Sequence, residues 1–152
     1  LTKLVIIHRR TIMKSFASDN YASVHPEILN AINNCNKDHA KAYGYDIYTE
    51  EAIQKFKEIF GQHIEVFFVF LGTGANVLSL SSCLKSFEGV ICSDVAHIHI
   101  DECGAPEKFG IKLIPLKSTN GKIEIESIKP YMSYIGFEHN IQPKVISITQ
   151  CT

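Results

Sequence analysis

The sequence predicts an α/β protein with a mainly parallel sheet. Short apolar runs alternate with segments of helical periodicity, as in chains built from strand–helix–strand units. The clearest run, residues 66–71 (Val-Phe-Phe-Val-Phe-Leu), has no polar face, and a strand of this kind is usually buried on both sides of a parallel sheet. A tight Gly72-Thr73-Gly74 turn follows it directly and leads into a helix-like pattern.

The first third of the chain is predicted to contain two helices, over residues 25–34 and 50–60. Pro26 occupies the first helical turn, where its missing N–H is tolerated. Thr49 is expected to cap the second helix, and Gly61 to end it. The polar and aromatic residues between the two helices are predicted to form a loop.

Three more strands are predicted after the glycine turn, over residues 89–92, 112–116 and 144–149. Ser93 and Asp94 are expected to cap a helix that runs toward Cys103. Asn120-Gly121 is a typical turn pair, and residues 124–134 are predicted to be helical. Strands and helices at this spacing favour parallel pairing through crossover connections.

Composition excludes several classes of protein. The 152 residues provide material for one domain, with 45% hydrophobic and 20% charged residues. A formal charge of -1 and a pI near 6.7 offer no electrostatic basis for binding nucleic acid or a membrane surface. No apolar stretch approaches the roughly 20 residues that a membrane span needs. The five cysteines form no C-x-x-C pair and are interpreted as reduced, mostly buried thiols of a cytoplasmic protein.

The two ends of the chain look irregular. Met13-Lys14 resembles a natural start, so residues 1–12 are interpreted as an upstream extension or arm and residues 13–152 as the folded part. The apolar strand at 144–149 lies close to the last residue, where it would leave an unpaired edge. We therefore expect the chain to be a piece of a longer protein that is able to self-associate through this edge.

The Gly72-Thr73-Gly74 turn is a candidate anion site. Glycines let backbone amides approach a ligand, and the helix that follows directs its unpaired N–H groups and positive dipole end to the same place. No Lys-Ser/Thr pair follows the second glycine, and Val77 stands where a dinucleotide fingerprint has its third glycine. The alternatives are therefore a phosphorylated cofactor of another kind, or a core turn without a ligand.

A second candidate site surrounds His97, at the carboxyl end of the next predicted strand. Three interpretations stay open: a metal site formed by His97, Asp101 and either His99 or Cys103, a buried histidine with a carboxylate partner and no role in ligand binding, or a ring stacked on an aromatic cofactor. His97 and Asp101 would share a helix face. The other histidines are interpreted as surface residues: His8, His25, His39, His63 and His139.

Several short motifs follow one another in the order seen in low-specificity threonine aldolases. The chain resembles this family in Ser18-Asp19-Asn20, Tyr43-Gly44-x-Asp46, Gly72-Thr73-Gly74-Ala75-Asn76, Ala96-His97, Glu102-Cys103-Gly104-Ala105-Pro106-Glu107 and Ser147-Ile148-Thr149-Gln150. The family belongs to the β-eliminating lyases, which are fold type I pyridoxal-phosphate enzymes. The resemblance covers residues 13–152 and implies part of the large domain of an aspartate-aminotransferase-like fold, a three-layer α/β architecture.

The resemblance implies a role for each candidate residue. The turn from Gly72 to Asn76 would hold the phosphate of pyridoxal 5'-phosphate, with Thr73 and backbone amides as donors. His97 would stack on the pyridine ring. Ser18 would help to bind the substrate carboxylate. Tyr43 and its tyrosine-rich loop would lie near the cofactor or a subunit interface, although the residues alone fit a surface loop equally well.

The activity that the resemblance implies is reversible cleavage of threonine or allo-threonine to glycine and acetaldehyde by a homo-oligomeric enzyme. The cofactor supplies an electron sink for the charge left on Cα. The alternatives are another fold type I amino-acid lyase, such as a tryptophanase-like or phenylserine-cleaving enzyme, or a non-enzymatic α/β module that binds a phosphorylated ligand.

The chain also departs from the family. The lysine that binds the cofactor covalently, the aspartate that pairs with the pyridine nitrogen, and the arginines for phosphate and carboxylate lie beyond the strand at 144–149 in the family. Many members carry a histidine just after that strand, where this chain has Gln150-Cys151-Thr152. We therefore expect this polypeptide alone to be inactive.

Overall fold

The computed structural model describes residues 14–150. The chain divides into two compact units, Leu1–Ile64 and Glu65–Thr152. The predicted arm at residues 1–12 lies outside the described residues. Within residues 14–150, no helix is both long and apolar enough to cross a membrane.

The first unit contains two helices, α1 (Pro26–Cys35) and α2 (Ile47–Phe60), after a short 3-10 turn at Asp19–Tyr21. Helix α1 begins as predicted, with proline in its first turn, and the Nδ1 atom of His25 accepts a hydrogen bond from the Glu27 N–H at 3.3 Å. Gly61 ends α2 as predicted, with a φ of 101° that suits glycine.

The prediction that Thr49 caps α2 was wrong. The helix begins three residues earlier, and Asp46 is the capping residue. Its Oδ1 atom accepts a hydrogen bond from the Thr49 N–H at 2.8 Å, and its Oδ2 atom accepts one from the Thr49 hydroxyl at 2.7 Å. The carboxylate of Asp46 accepts both hydrogen bonds at the positive end of the helix dipole. It thereby pairs the Thr49 N–H, one of the first amides of the helix, which have no partner within the helix.

The second unit is an α/β assembly. In chain order its elements are α3 (Gly72–Cys83), β1 (Glu88–Ser93), α4 (His97–Ile100), α5 (Ala105–Lys108), β2 (Lys112–Leu116), α6 (Ile125–Met132) and β3 (Gln142–Ile146). The three strands form one sheet in the order β2-β1-β3, and both pairings are parallel. The predicted α/β class with a parallel sheet is therefore confirmed.

Strand β1 contributes to the hydrophobic core on both faces of the sheet, because successive side chains of a strand point to opposite faces. On one face, Val90 and Cys92 pack with Leu80 of α3 and with Ile98 of α4. On the other face, Ile91 packs with a group that includes Ile114, Leu116, Ile128 and Tyr131. Helices thus cover both faces of the sheet in three layers, as the resemblance implied. The expectation of mostly buried thiols was wrong, because Cys92 is the one buried cysteine among the four that the structure describes. Burial raises the pKa of its thiol to about 11.

The prediction of a buried strand over residues 66–71 was wrong. The segment is not part of the sheet, and Phe67 and Phe70 are 80% and 99% exposed. Both edges of β1 are occupied by β2 and β3, and no strand in the described part of the chain pairs with the segment. An apolar pattern indicates that a strand would be buried, but it does not supply the neighbouring strand that its backbone needs.

The remaining elements differ from the predictions mainly in their bounds. Strand β2 was predicted correctly, whereas β3 begins and ends earlier than expected, and α6 is shorter. The Asn120-Gly121 turn is confirmed, since both residues have positive φ angles of 52° and 74°. The helix expected after Ser93 and Asp94 is replaced by α4 and α5, and Ala96 occupies the capping position of α4. The described histidines predicted at the surface are exposed: His25, His39, His63 and His139.

Gly89 should not tolerate a side chain, because a Cβ atom there would overlap the Ile141 side chain. Its distance would be 2.9 Å to Ile141 Cγ1 and 3.1 Å to Ile114 Cδ1. We expect Gly89→Ala to lower the free energy of unfolding by about 1–3 kcal/mol through overpacking. Urea unfolding followed by far-UV circular dichroism measures this loss.

Ile141→Ala provides the matched background, since it removes the atoms that the new methyl group would strike. Gly89→Ala should cost clearly less in that background than in the wild type. Equal costs in the two backgrounds would contradict the steric explanation.

Candidate functional site

The N-terminus of α3 presents backbone donors in an open setting. Its capping residue, Leu71, contributes no side-chain hydrogen bond, and the first turn contains no acidic residue. The first intrahelical bond joins the Ala75 N–H to the Leu71 carbonyl at 3.2 Å, so the amides of Gly72, Thr73 and Gly74 come before it. A Cβ atom on Gly72 would meet nothing within 4 Å. Three amides and the positive end of the helix dipole thus suit an anion.

A carboxylate connects this helix to His97. Glu102 Oε1 accepts a hydrogen bond from Asn76 Nδ2 at 2.6 Å and lies 2.8 Å from His97 Nδ1. The Glu102 side chain is fully buried, whereas the His97 side chain is 52% exposed. The ring of His97 is therefore fixed at one nitrogen and open to a ligand elsewhere.

Glu102 lies between the end of α4 and a reversal of the chain. Helix α4 is only four residues long, and two residues with positive φ follow Glu102: Cys103 at 51° and Gly104 at 74°. These left-handed residues reverse the chain between α4 and α5. Glutamate at this position was missed as a functional candidate, although it belongs to a motif that resembles the family's.

Asp101 is not the partner of His97, although the two were expected to share a helix face. Asp101 is exposed just beyond the end of α4, and the carboxylate that reaches the ring belongs to Glu102. Among residues 14–150, no group of three or more His, Cys, Asp and Glu side chains is arranged to hold a metal ion. The carboxylate partner of the second interpretation is present, but the His97 ring is half exposed and not buried as expected, and stacking on a cofactor stays a prediction.

A second polar network joins the carboxyl ends of β1 and β2. Asp94 Oδ1 accepts hydrogen bonds from the Ser118 hydroxyl at 2.7 Å and from the Ser118 N–H at 3.1 Å. The Ser93 hydroxyl donates to the Ser118 hydroxyl at 3.0 Å. The Ser118 hydroxyl, followed by the Ser118 amide, holds the pKa of the Asp94 carboxyl below its usual value. Asp94 therefore serves to connect two strand ends and not to cap a helix.

A cleft of about 500 Å³ opens at the carboxyl ends of β1 and β3. Its polar residues include Ser93, Lys122 and Ser147, and its apolar residues include Ile146 and Ile148. None of the residues that line it belongs to the group formed by Asn76, His97 and Glu102. The two features therefore occupy separate places in the second unit.

Two predicted site residues lie in the first unit. Ser18 is partly buried, and its hydroxyl accepts a hydrogen bond from the Asn20 N–H at 3.2 Å. Tyr43 is 95% exposed and has a φ of 62°, and Gly44 follows it at 80°. The structure thus brings Asn76 and His97 together at Glu102, and Asn76 lies on the helix that begins with Gly72, Thr73 and Gly74. The roles of Ser18 and Tyr43 stay predictions.

The Asp94 network should make part of the stability depend on pH. Because the pKa of Asp94 is lower in the folded state, its contribution is present above the unfolded pKa of about 3.9 and disappears as the pH falls through the folded value. We expect Asp94→Asn to destabilise the protein at neutral pH, and the difference from the wild type to vanish in acid. Urea unfolding across the pH range measures it.

Asp101→Asn is the matched control, because that nearby carboxylate is exposed and lies outside the Ser118 network. It should leave the pH profile close to that of the wild type. A loss for Asp94→Asn that persists unchanged at the lowest pH would contradict the electrostatic explanation.

Known proteins resemble this chain over most of its length. A low specificity L-threonine aldolase of a Pseudomonas species is 44% identical over 141 residues, covering 91% of this chain and 41% of the relative. The low specificity L-threonine aldolase of Pseudomonas aeruginosa is 41% identical over the same share of both chains. A Leishmania major threonine aldolase structure superimposes with a TM-score of 0.80 at 28% identity, covering 87% of this chain and 39% of the other.

The chain thus spans about 41% of the length of the curated relatives that it matches. The sequence model of the beta-eliminating lyase family matches residues 15–152, which include both the glycine-rich start of α3 and the His97 group. The chain therefore belongs to the beta-eliminating lyase family.

Proposed function

We propose that this chain supplies the phosphate- and ring-binding part of a pyridoxal-phosphate-dependent lyase that cleaves threonine or allo-threonine to glycine and acetaldehyde. One observation carries the proposal: the open, uncapped start of α3 is joined through Asn76 and Glu102 to the half-exposed ring of His97. An anion site beside an aromatic ring suits a phosphorylated aromatic cofactor. The two Pseudomonas relatives are threonine aldolases, which favours threonine as the substrate.

The residues present fit the cofactor. A phosphate monoester is dianionic near neutral pH, and the start of α3 offers three amides with no acidic side chain in its first turn. The glycines leave space for the phosphate oxygens to approach the backbone. A flat ring that is half exposed offers one face for stacking.

Each residue has a defined part in this proposal. Gly72, Thr73 and Gly74 hold the phosphate through their amides, and His97 packs against the ring. When bound, pyridoxal phosphate supplies an electron sink for the pair left on Cα as the Cα–Cβ bond breaks. Ser18 donates a hydrogen bond to the substrate carboxylate. Tyr43 lies in an exposed loop suited to a pocket wall or to a contact between subunits of a homo-oligomer.

The residues named above bind the cofactor and the substrate in this proposal, but they do not suffice for catalysis. The chain spans 41% of its relatives, and we assign none of its lysines to the covalent attachment of the cofactor. Binding of the cofactor and cleavage of threonine are therefore separate questions, and each has its own test. We also propose a cytoplasmic location, in keeping with free thiols at all four described cysteines.

Cofactor binding should depend on the phosphate group and on the start of α3. We expect Gly72→Asp to weaken binding of pyridoxal 5'-phosphate at least tenfold, because a carboxylate there repels the phosphate and blocks its approach. Equilibrium dialysis, with the cofactor measured by its absorbance, gives the Kd. Pyridoxal without the phosphate should bind the wild type as poorly as the phosphate form binds the variant.

Ser81→Asp is the matched control, since it adds the same charge near the opposite end of the same helix, at an exposed position. It should leave the affinity within about twofold of the wild type, because the helix dipole acts only within the nearest turn. Equal weakening by both variants would contradict a phosphate site at Gly72.

Substrate cleavage can be tested in a chimera, in which this chain replaces the matching part of the Pseudomonas relative. We expect the chimera to release acetaldehyde from threonine, measured by coupled reduction to ethanol with NADH. Ser18→Ala should raise KM at least tenfold and change kcat less, because a hydrogen bond to a charged group contributes about 1.5–3 kcal/mol to binding.

Ser15→Ala serves as the control, since Ser15 is an exposed serine three residues away. It should leave KM unchanged. A folded chimera that releases no acetaldehyde would overturn the proposed activity. A KM that is unaffected by Ser18→Ala would overturn the role of Ser18 alone.

A further inference from the structure

Glu102 is a buried charge whose position calls for an explanation. Its side chain is fully buried, and both of its partners, Asn76 and His97, use the same oxygen, Oε1. The other oxygen, Oε2, is also buried and has no hydrogen-bond partner among the described residues. Burying a carboxylate is costly, and an apolar side chain of similar volume often gives a more stable protein. Fold stability alone therefore gives no reason for glutamate here.

The chemistry of Oε1 determines which ring nitrogen of His97 carries a hydrogen. An ionised carboxylate only accepts hydrogen bonds, so both of its partners must donate. Asn76 donates through its amide nitrogen at 2.6 Å. At 2.8 Å from the same oxygen, His97 Nδ1 must therefore be protonated. In the neutral ring, this leaves the hydrogen off Nε2, which becomes an acceptor.

The same contact also limits rotation of the ring. Asn76 belongs to α3, whose first residues form the proposed phosphate site, and His97 begins α4. Glu102 holds both, while Cys103 and Gly104 fix the backbone that follows it in a left-handed turn. A single carboxylate oxygen therefore sets the orientation of the ring relative to the helix that would bind the phosphate.

We propose that Glu102 is a positioning residue that holds His97 in its Nδ1–H tautomer and fixes the ring plane against which the cofactor packs. The stacking part of this inference rests on the proposed function. The tautomer itself is a property of the chain without any ligand. The two parts can therefore fail separately.

The tautomer can be determined by NMR in the 152-residue chain labelled with 15N at its histidines. At alkaline pH, where the ring is neutral, we expect the Nδ1 resonance of His97 in the protonated range and Nε2 in the unprotonated range. His97→Gln assigns the signals by their loss. Glu102→Leu should shift His97 toward the Nε2–H form that is usual for a solvated imidazole.

Two further variants separate positioning from folding. Glu102→Gln keeps an acceptor oxygen at the same place and should retain the Nδ1–H form, even if Glu102→Leu does not fold. Asp101→Asn changes the adjacent, exposed carboxylate and should leave the His97 signals unchanged. A wild-type ring that is mainly Nε2–H, or a folded Glu102→Leu protein with an unchanged His97 spectrum, would overturn the inference.

Cofactor affinity tests the stacking part in the same variants. Glu102→Leu should weaken binding of pyridoxal 5'-phosphate severalfold, whereas Glu102→Gln should stay close to the wild type. If no variant binds the cofactor but the tautomer is as expected, the proposed function fails and the assignment of Glu102 to the tautomer stands. If the cofactor binds equally to the wild type and to Glu102→Leu, positioning of the ring plane fails and the proposed function stands.

Discussion

The burial of β1 on both faces and along both edges is the constraint on which the second unit depends. Val90, Ile91 and Cys92 are 0%, 1% and 0% exposed, and β2 and β3 occupy the two hydrogen-bonding edges. A strand in this position has no freedom to shift, because a slip of one residue would exchange its two apolar faces and break both ladders. The residues just beyond the carboxyl end of β1 are therefore held in a defined place.

The candidate site uses that fixed end. Ser93 and Asp94, at the end of β1, form hydrogen bonds with Ser118 beyond β2, so the two strand ends are connected. The chain then forms the short helix α4, and Glu102, two residues beyond its end, reaches His97 Nδ1 with its carboxylate. The buried carboxylate of Glu102 connects α4 with α3 through His97 and Asn76. The packed core therefore fixes the position of His97, whose side chain stays half exposed at the surface.

Local patterns predicted the features that depend on local chemistry. Strand β2, the Asn120-Gly121 turn and the end of α2 at Gly61 all depend on residues within a few positions of one another. Gly72, Thr73 and Gly74 were expected to form a turn before a helix, and they are instead the first residues of that helix. The errors arose where two signals competed or where a partner lies far along the chain. Thr49 is a reasonable cap, but Asp46 provides a stronger acceptor three residues earlier. The segment 66–71 has the composition of a central strand and yet has no adjacent edge in the described sheet.

By itself, the sequence determined the α/β class and the parallel sheet, and it identified the glycine-rich segment of α3 and His97 as candidate site residues. These features could be predicted because periodicity, turn chemistry and helix capping act over short distances. The tertiary structure decided which carboxylate meets His97. Asp101 was the better candidate from helical spacing, but α4 ends at Ile100, before a second turn can form, and the ring meets the carboxylate of Glu102, five positions after His97. The contact between Glu102 and Asn76 spans 26 positions of the chain, and only the packing of α3 and α4 on β1 brings the two together.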